Sequence, residues 1–312
     1  RRDKVGQQSF FDWEHHDDGN VVLKNCFIKD YIEEKKFSGF KIYPALGYYP
    51  FDERLLPLWK YAADNGIPIL THAIRGTIYY RGTKEKAWSR HPIFKQSDGN
   101  NLLLPQLKNI DFINNFTHPL NYLCLVEEKL LRLLVAQSSD SIKKLFGYTD
   151  DKTPLLYNLK HLKLCFGHYG GDEEWQKYFE KDRDQFVQQL VTNPSHGLNM
   201  IKDGKIDETM NLLEQVWLNV DWYTIISSMM LQYPNLYADI SYIIHNDDII
   251  PSLKHTIQNS GLKAKVLFGT DFYVVRNHKS EKEMLAEIQA HLTEHEFDEI
   301  ARINPRKFLN LV

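Results

Sequence analysis

The run Val266-Leu267-Phe268-Gly269-Thr270-Asp271 constrains this chain more than any other stretch. Apolar residues lead straight into a polar pair, the pattern of a strand buried on both faces in a parallel sheet. A carboxylate at the C-terminal end of such a strand sits where α/β barrels keep their chemistry. Pro68-Ile69-Leu70-Thr71-His72 repeats the design, and so does Leu162-Lys163-Leu164-Cys165-Phe166-Gly167-His168. Three strands thus each deliver a metal-binding or proton-transferring residue at the same end.

The rest of the chain supplies the rhythm that such strands need. Gly39 to Pro44 reads as a short strand. Asp52 then caps a helix carrying Leu55, Leu56, Leu58, Trp59 and Ala62, which Asn65-Gly66 ends. The strand to His72 follows, and so short a connection makes the two strands parallel. Asn235 to Ser241 reads as another strand, residues 247–260 as a helix, and Ser280 caps a later helix running to about Leu292. The region 297–311 reads as a closing helix interrupted near Pro305. Residues 21–36 are expected to be helical and residues 1–20 a solvated loop. Glu14-His15-His16-Asp17-Asp18 falls in that loop, because neighbouring side chains on an extended segment point opposite ways.

Two segments enlarge the loops on one side. Residues 75–117 contain Arg75, Tyr79, Tyr80 and Arg81, and read as a lid or substrate-binding insertion. Residues 172–208 are the second, with an amphipathic helix over 172–190. Arg75, Tyr79 and Arg81 suit an anionic or carboxylate-bearing small-molecule substrate. The whole of 1–312 is expected to form one domain, since 312 residues with 43% hydrophobic content can fill a single large barrel.

Composition narrows the partners. A net charge of −3, with no basic block, argues against nucleic acid. No apolar run approaches the roughly 18 residues of a membrane span. Cys26, Cys124 and Cys165 are widely spaced and form no CxxC, which suits a reducing compartment; a cytoplasmic location is expected. A homo-oligomer is compatible with the sequence.

His72, His168 and Asp271 offer two imidazoles and a carboxylate, a donor set suited to Zn²⁺ or a similar divalent ion. The carboxylate can also take a proton from metal-bound water. Lys41 lies between Phe40 and Ile42 on its short strand, either joining the metal site or reaching out at the strand end.

The stretches GFKIYP, IPILTHA, LKLCFGHYGG, NLYADISY and VLFGTDFY, with the closing INPRKFL, resemble the amidohydrolase superfamily in its metal-dependent hydrolase and decarboxylase branch. The resemblance runs from about Gly39 to Leu311 and implies a distorted TIM (β/α)8 barrel. It places Lys41 on strand four, His72 on strand five, His168 on strand six and Asp271 on strand eight. It implies that the histidines bind metal, most commonly zinc with manganese or iron as alternatives. It gives Asp271 both metal binding and proton transfer. A carboxylated Lys41 would bridge two metals and favour hydrolysis; a free one favours a mononuclear scheme. The family's first strand carries His-x-His, which this sequence lacks. Residues 1–38 have room for one strand and one helix, so the barrel is expected to lack its first strands here, with His-x-His encoded upstream of Arg1. The expected activity is metal-dependent hydrolysis of a C–N or C–O bond. Nonoxidative decarboxylation on the same fold is one alternative, and a non-catalytic binding or scaffold barrel is another.

Overall fold

The apolar runs become the strands of one parallel sheet. In the computed structural model, which describes residues 4–5, 8–16, 19–76, 80–96, 98–181, 183–198, 201–202, 205–206 and 213–311, five strands pair in sequence order. They are β1 (Phe40–Ile42), β2 (Ile69–Ile74), β3 (Leu164–Gly170), β4 (Leu236–Asp239) and β5 (Val266–Leu267). All four pairings are parallel: β1 to β2, β2 to β3, β3 to β4 and β4 to β5. A sheet that adds every new strand on the same side winds in one direction, as barrels do; doubly wound folds reverse order at a switch point. Closure is not seen among the described residues, where β1 and β5 remain the sheet's two edges.

β3 is buried along its whole length and β2 nearly so, as expected of strands covered on both faces. Helices provide the cover. Leu56–Asp64, here α1, follows β1 and buries every residue from Leu56 to Ala63. Trp222–Gln232, here α2, precedes β4 and is buried from Trp222 to Met230. Asp221 caps α2 by accepting from the Thr224 amide at 2.6 Å, which explains why the chain restarts there.

Gly167 marks a close approach of two strands within the sheet. A Cβ there would lie 2.8 Å from the Thr71 carbonyl oxygen, so only glycine lets β2 and β3 pair at His72. The ladder shifts register between His72 and Ile74, just where the chemistry-bearing residue emerges.

The chain's last helical segment closes the opposite end. Asn304 donates to the carbonyls of Lys263 (2.7 Å) and Val266 (2.9 Å), and Lys163 donates to those of Lys307 (2.8 Å) and Phe308 (3.3 Å). Asn310 donates to the Gly66 carbonyl at 2.6 Å. Lys163, Gly66 and Lys263 all precede strands, so residues 304–310 tie together the strands' N-terminal ends.

Several local expectations are corrected. Residues 21–36 begin as a strand, Val21–Leu23, paired antiparallel with Trp13–His15, and become helical only from Phe27. Val21 and Leu23 are buried while Val22 is exposed, so a two-residue period prevails over the helical spacing. The same hairpin replaces part of the loop expected over 1–20; Asp17 and Asp18 lie outside the described residues. The single helix expected over 172–190 is two, Asp172–Glu180 and Arg183–Thr192. The insertion at 75–117 holds a hairpin of Arg90–Lys95 with Asn101–Leu103 and a helix, Asn109–Thr117. Among the described residues no helix is long and apolar enough to cross a membrane.

Candidate active site

His72, His168 and Asp271 line one cavity of about 230 Å³, together with Tyr43, Ile74, Tyr242 and Val274. His72 and His168 lie in the C-terminal halves of their strands and Asp271 beyond the end of its own, so separate parallel strands deliver them to one place. The ordered part of β5 is short: Asp271 sits four residues past Leu267, and turns into the short helix Phe272–Val275.

The two imidazoles are neighbours. Their ring centres are 4.9 Å apart and their planes are steeply inclined at 74°. Tyr43 stacks on the other side of His72, with ring centres 5.2 Å apart. Burial, then the neighbouring His168, then the charge of Lys41 push the His72 pKa down to about 3. His72 is therefore neutral at physiological pH, the form that binds metal.

His168 is held from strand β4. Its Nδ1 lies 3.1 Å from the Ser241 carbonyl oxygen and 3.0 Å from the Ser241 hydroxyl. The buried Asp239 carboxylate accepts from the backbone amides of His168 (3.1 Å) and Ser241 (3.0 Å) and from the Ser241 hydroxyl. Asn235 to Ser241 was expected as a strand, with no role for Asp239, Ser241 or Tyr242. The available signal was polar residues at the end of a buried strand, as at His72 and His168.

Backbone strain collects at this cavity. His168, Tyr169, Tyr242 and Asp271 all have positive φ, at 69°, 43°, 67° and 51°. Such conformations cost roughly 1–3 kcal/mol each for a non-glycine residue and cluster at functional sites. Tyr242, with φ 67° and ψ −60°, forms the centre of a γ-turn, closed by the Ile243 amide on the Ser241 carbonyl at 2.8 Å. That turn carries the Tyr242 ring to the cavity, 6.0 Å from the His168 ring centre. Partial burial and the carboxylates of Asp172, Glu173 and Asp271 raise the Tyr242 pKa, so its phenol stays protonated.

The other expected site residues fall elsewhere. Lys41 is exposed rather than buried, because β1 is an edge strand; its Nζ lies 5.1 Å from the Tyr43 ring centre, and it is not among the cavity's lining residues. Arg75 is drawn away from the cavity, with Nε 2.9 Å from the Glu174 carboxylate and the guanidinium over the Trp222 ring. Arg81 is exposed, and Tyr79 lies outside the described residues.

The donor chemistry of His72, His168 and Asp271 fits a divalent ion: two adjacent imidazoles with a carboxylate on the same cavity. The arrangement stops short of a finished centre. Among the described residues no three His, Cys, Asp or Glu side chains stand close enough together to hold a metal.

No family model matches the chain, and no curated protein does. Solved structures do. A 5-carboxyvanillate decarboxylase from Sphingomonas paucimobilis is 12% identical over 91% of this chain and 61% of its own, with a TM-score of 0.43. A 2,6-dihydroxybenzoate decarboxylase from Rhizobium is 14% identical over 91% and 66%, with a TM-score of 0.43. A dihydroxybenzoic acid decarboxylase from Polaromonas, solved with manganese and 2-nitroresorcinol, is 13% identical over 91% and 64%, with a TM-score of 0.42. The chain spans less than two thirds of the length of these structures. All three are decarboxylases, whereas the activity expected from the sequence was hydrolysis. They belong to the amidohydrolase superfamily, in its metal-dependent decarboxylase branch, and it is this superfamily that the chain's motifs resemble.

Proposed function

We propose that the chain catalyses metal-dependent, nonoxidative decarboxylation of a small aromatic acid. The cavity carries this reading: it sets the paired imidazoles and the Asp271 carboxyl between the Tyr43 and Tyr242 rings, in a volume suited to one aromatic ring. Lys41 supports the mononuclear scheme, since an exposed lysine outside the cavity is not placed to bridge two metals.

Decarboxylation asks three things of a site. The substrate carboxylate must be held, the carbon that loses it must receive a proton, and water must be kept away. A divalent ion held by His72 and His168 would supply the positive charge that fixes the carboxylate. Ile74, Val274 and the two tyrosine rings provide apolar walls, which favour release of neutral CO2 over return of a charged carboxylate. Asp271, in its acid form, gives its proton to the ring carbon. The bond to the carboxylate then breaks, its electron pair stays with the ring, and CO2 leaves. Asp271 regains a proton from solvent, so the balance is one proton taken up for each CO2 released. The ion is named only as divalent, because a pair of imidazoles is common to the sites of several first-row ions.

The test is CO2 release by the full chain supplied with Mn²⁺ or Zn²⁺, using 2,6-dihydroxybenzoate and 5-carboxyvanillate as probes in D2O. Deuterium should enter the product at the carbon that lost CO2. Cleavage of ester or amide probes without CO2 release from any aromatic acid would overturn the reading.

A further inference from the structure

We infer that Ser241, latched by Asp239, is a positioning residue that locks His168 into one tautomer, with the proton on Nδ1 and the lone pair on Nε2. The hydrogen-bond chemistry runs in only one direction. A carbonyl oxygen only accepts, so the Ser241 carbonyl, 3.1 Å from Nδ1, requires Nδ1 to be the donor. The Ser241 hydroxyl, 3.0 Å from the same nitrogen, could in principle donate. It is prevented from doing so because its proton goes to Asp239 Oδ1, an oxygen already accepting from the His168 and Ser241 amides. Both oxygens of one residue thus act as acceptors for Nδ1–H.

The latch also fixes the backbone. The same Asp239 oxygen accepts from the main-chain amides of His168 and Ser241, tying the end of β3 to the end of β4. The γ-turn at Tyr242 keeps the Ser241 carbonyl in place, since the Ile243 amide shares that oxygen at 2.8 Å. Side-chain contacts of this kind set which nitrogen of a metal-binding histidine is available, and removing them typically weakens metal binding by about 10–100-fold. What Nε2 then does rests on the proposed function; the tautomer does not.

The experiment uses the full chain with Ser241→Ala, Ser241→Cys and Ser241→Thr. Nitrogen-15 spectra of the metal-free protein read the tautomer and the exchange rate of His168 Nδ1–H. Titration with Mn²⁺ reads the affinity. The wild type should show Nδ1–H alone. Ser241→Ala should exchange that proton about tenfold faster and bind Mn²⁺ about tenfold more weakly, the lower end of the range because the carbonyl remains. Ser241→Cys keeps the shape with a poor acceptor and should behave alike, which covers the case of an alanine variant that does not fold. Ser241→Thr, which restores the hydroxyl, should return both readings towards wild type. A proton on Nε2 in the wild type, or wild-type exchange and affinity in both the alanine and cysteine variants, would overturn the inference. Wild type that shows the Nδ1–H tautomer but fails to bind Mn²⁺ would instead count against the metal reading and leave the lock standing.

Discussion

The two ends of the sheet handle their backbone differently. At the C-terminal ends, His168, Tyr169, Tyr242 and Asp271 are held at positive φ around a cavity. At the N-terminal ends, Asn304, Lys163 and Asn310 donate to carbonyls and bind the strands to the closing helix. Left-handed residues at the first end aim side chains into a cavity; at the second, where Asn310 is also left-handed (φ 56°), side-chain hydrogen bonds hold the strands together. Changes at the first should therefore cost function and spare stability, and changes at the second should do the reverse.

The largest expected effect is at Asp271. Asp271→Asn removes the proton donor, and CO2 release should fall by about 10²–10⁴-fold. The same change should leave the melting temperature nearly unaltered, because asparagine tolerates the left-handed conformation at φ 51° as well as aspartate does. A variant that keeps wild-type turnover removes Asp271 from the reaction. One that unfolds breaks the separation of strain from stability.

Gly167→Ala tests where the two regimes meet. Its Cβ would lie 2.8 Å from the Thr71 carbonyl oxygen, a backbone atom that cannot swing aside. The strands must separate next to His72, at a cost of about 1–3 kcal/mol. Chemical denaturation should show that loss, and Mn²⁺ affinity should fall with it. A stable variant with intact metal binding would mean that β2 and β3 have slack here.

The fold was legible where apolar runs are unbroken. β2 and β3 are buried on both faces, so their sequences carry a strong strand signal, and His72 and His168 were placed in their C-terminal halves by position alone. Lys41 was left between a metal-site role and a side chain reaching out, because a three-residue sequence cannot tell an edge strand from an inner one. Arg75 was read as substrate-binding, while Glu174, far along the chain, takes its guanidinium. Ser241 and Tyr242 were missed for a similar reason. Their role depends on a γ-turn and on a partner in β3, and neither leaves a periodic mark in sequence.

A smaller effect is expected at the N-terminal ends. Asn304→Ala removes both donors and leaves the buried carbonyl of Val266 and the half-buried one of Lys263 without them. The cost should be about 1–3 kcal/mol, near the lower figure because the Asn304 Oδ1 has no hydrogen-bond partner among the described residues. Metal affinity and turnover should not change at temperatures where the variant is folded. A matching loss of Mn²⁺ affinity would show that the two ends are coupled.

The last expected effect is a slope with pH rather than a fixed loss. Lys265, at the start of β5, donates to the carbonyls of Met230 and Tyr233, and burial pushes its pKa down to about 8. An unfolded lysine titrates near 10.4. Below about pH 8 the group is charged in both states, and its burial cost is felt in full. Between about pH 8 and 10.4 the unfolded chain binds more protons than the folded one, so this group makes stability rise with pH. The neutral amine still has protons for its two carbonyls, so no hydrogen bond need be lost on the way. Lys265→Met removes the titration, and the stability of wild type relative to the variant should therefore climb from pH 8 to pH 10 in urea unfolding. Because Lys265 is remote from the cavity's lining residues, Mn²⁺ affinity at pH 7 should be the same in both proteins. A pH-independent difference in stability would show that the Lys265 amine titrates as it does in water, and that the N-terminal end is less closed than its hydrogen bonds suggest.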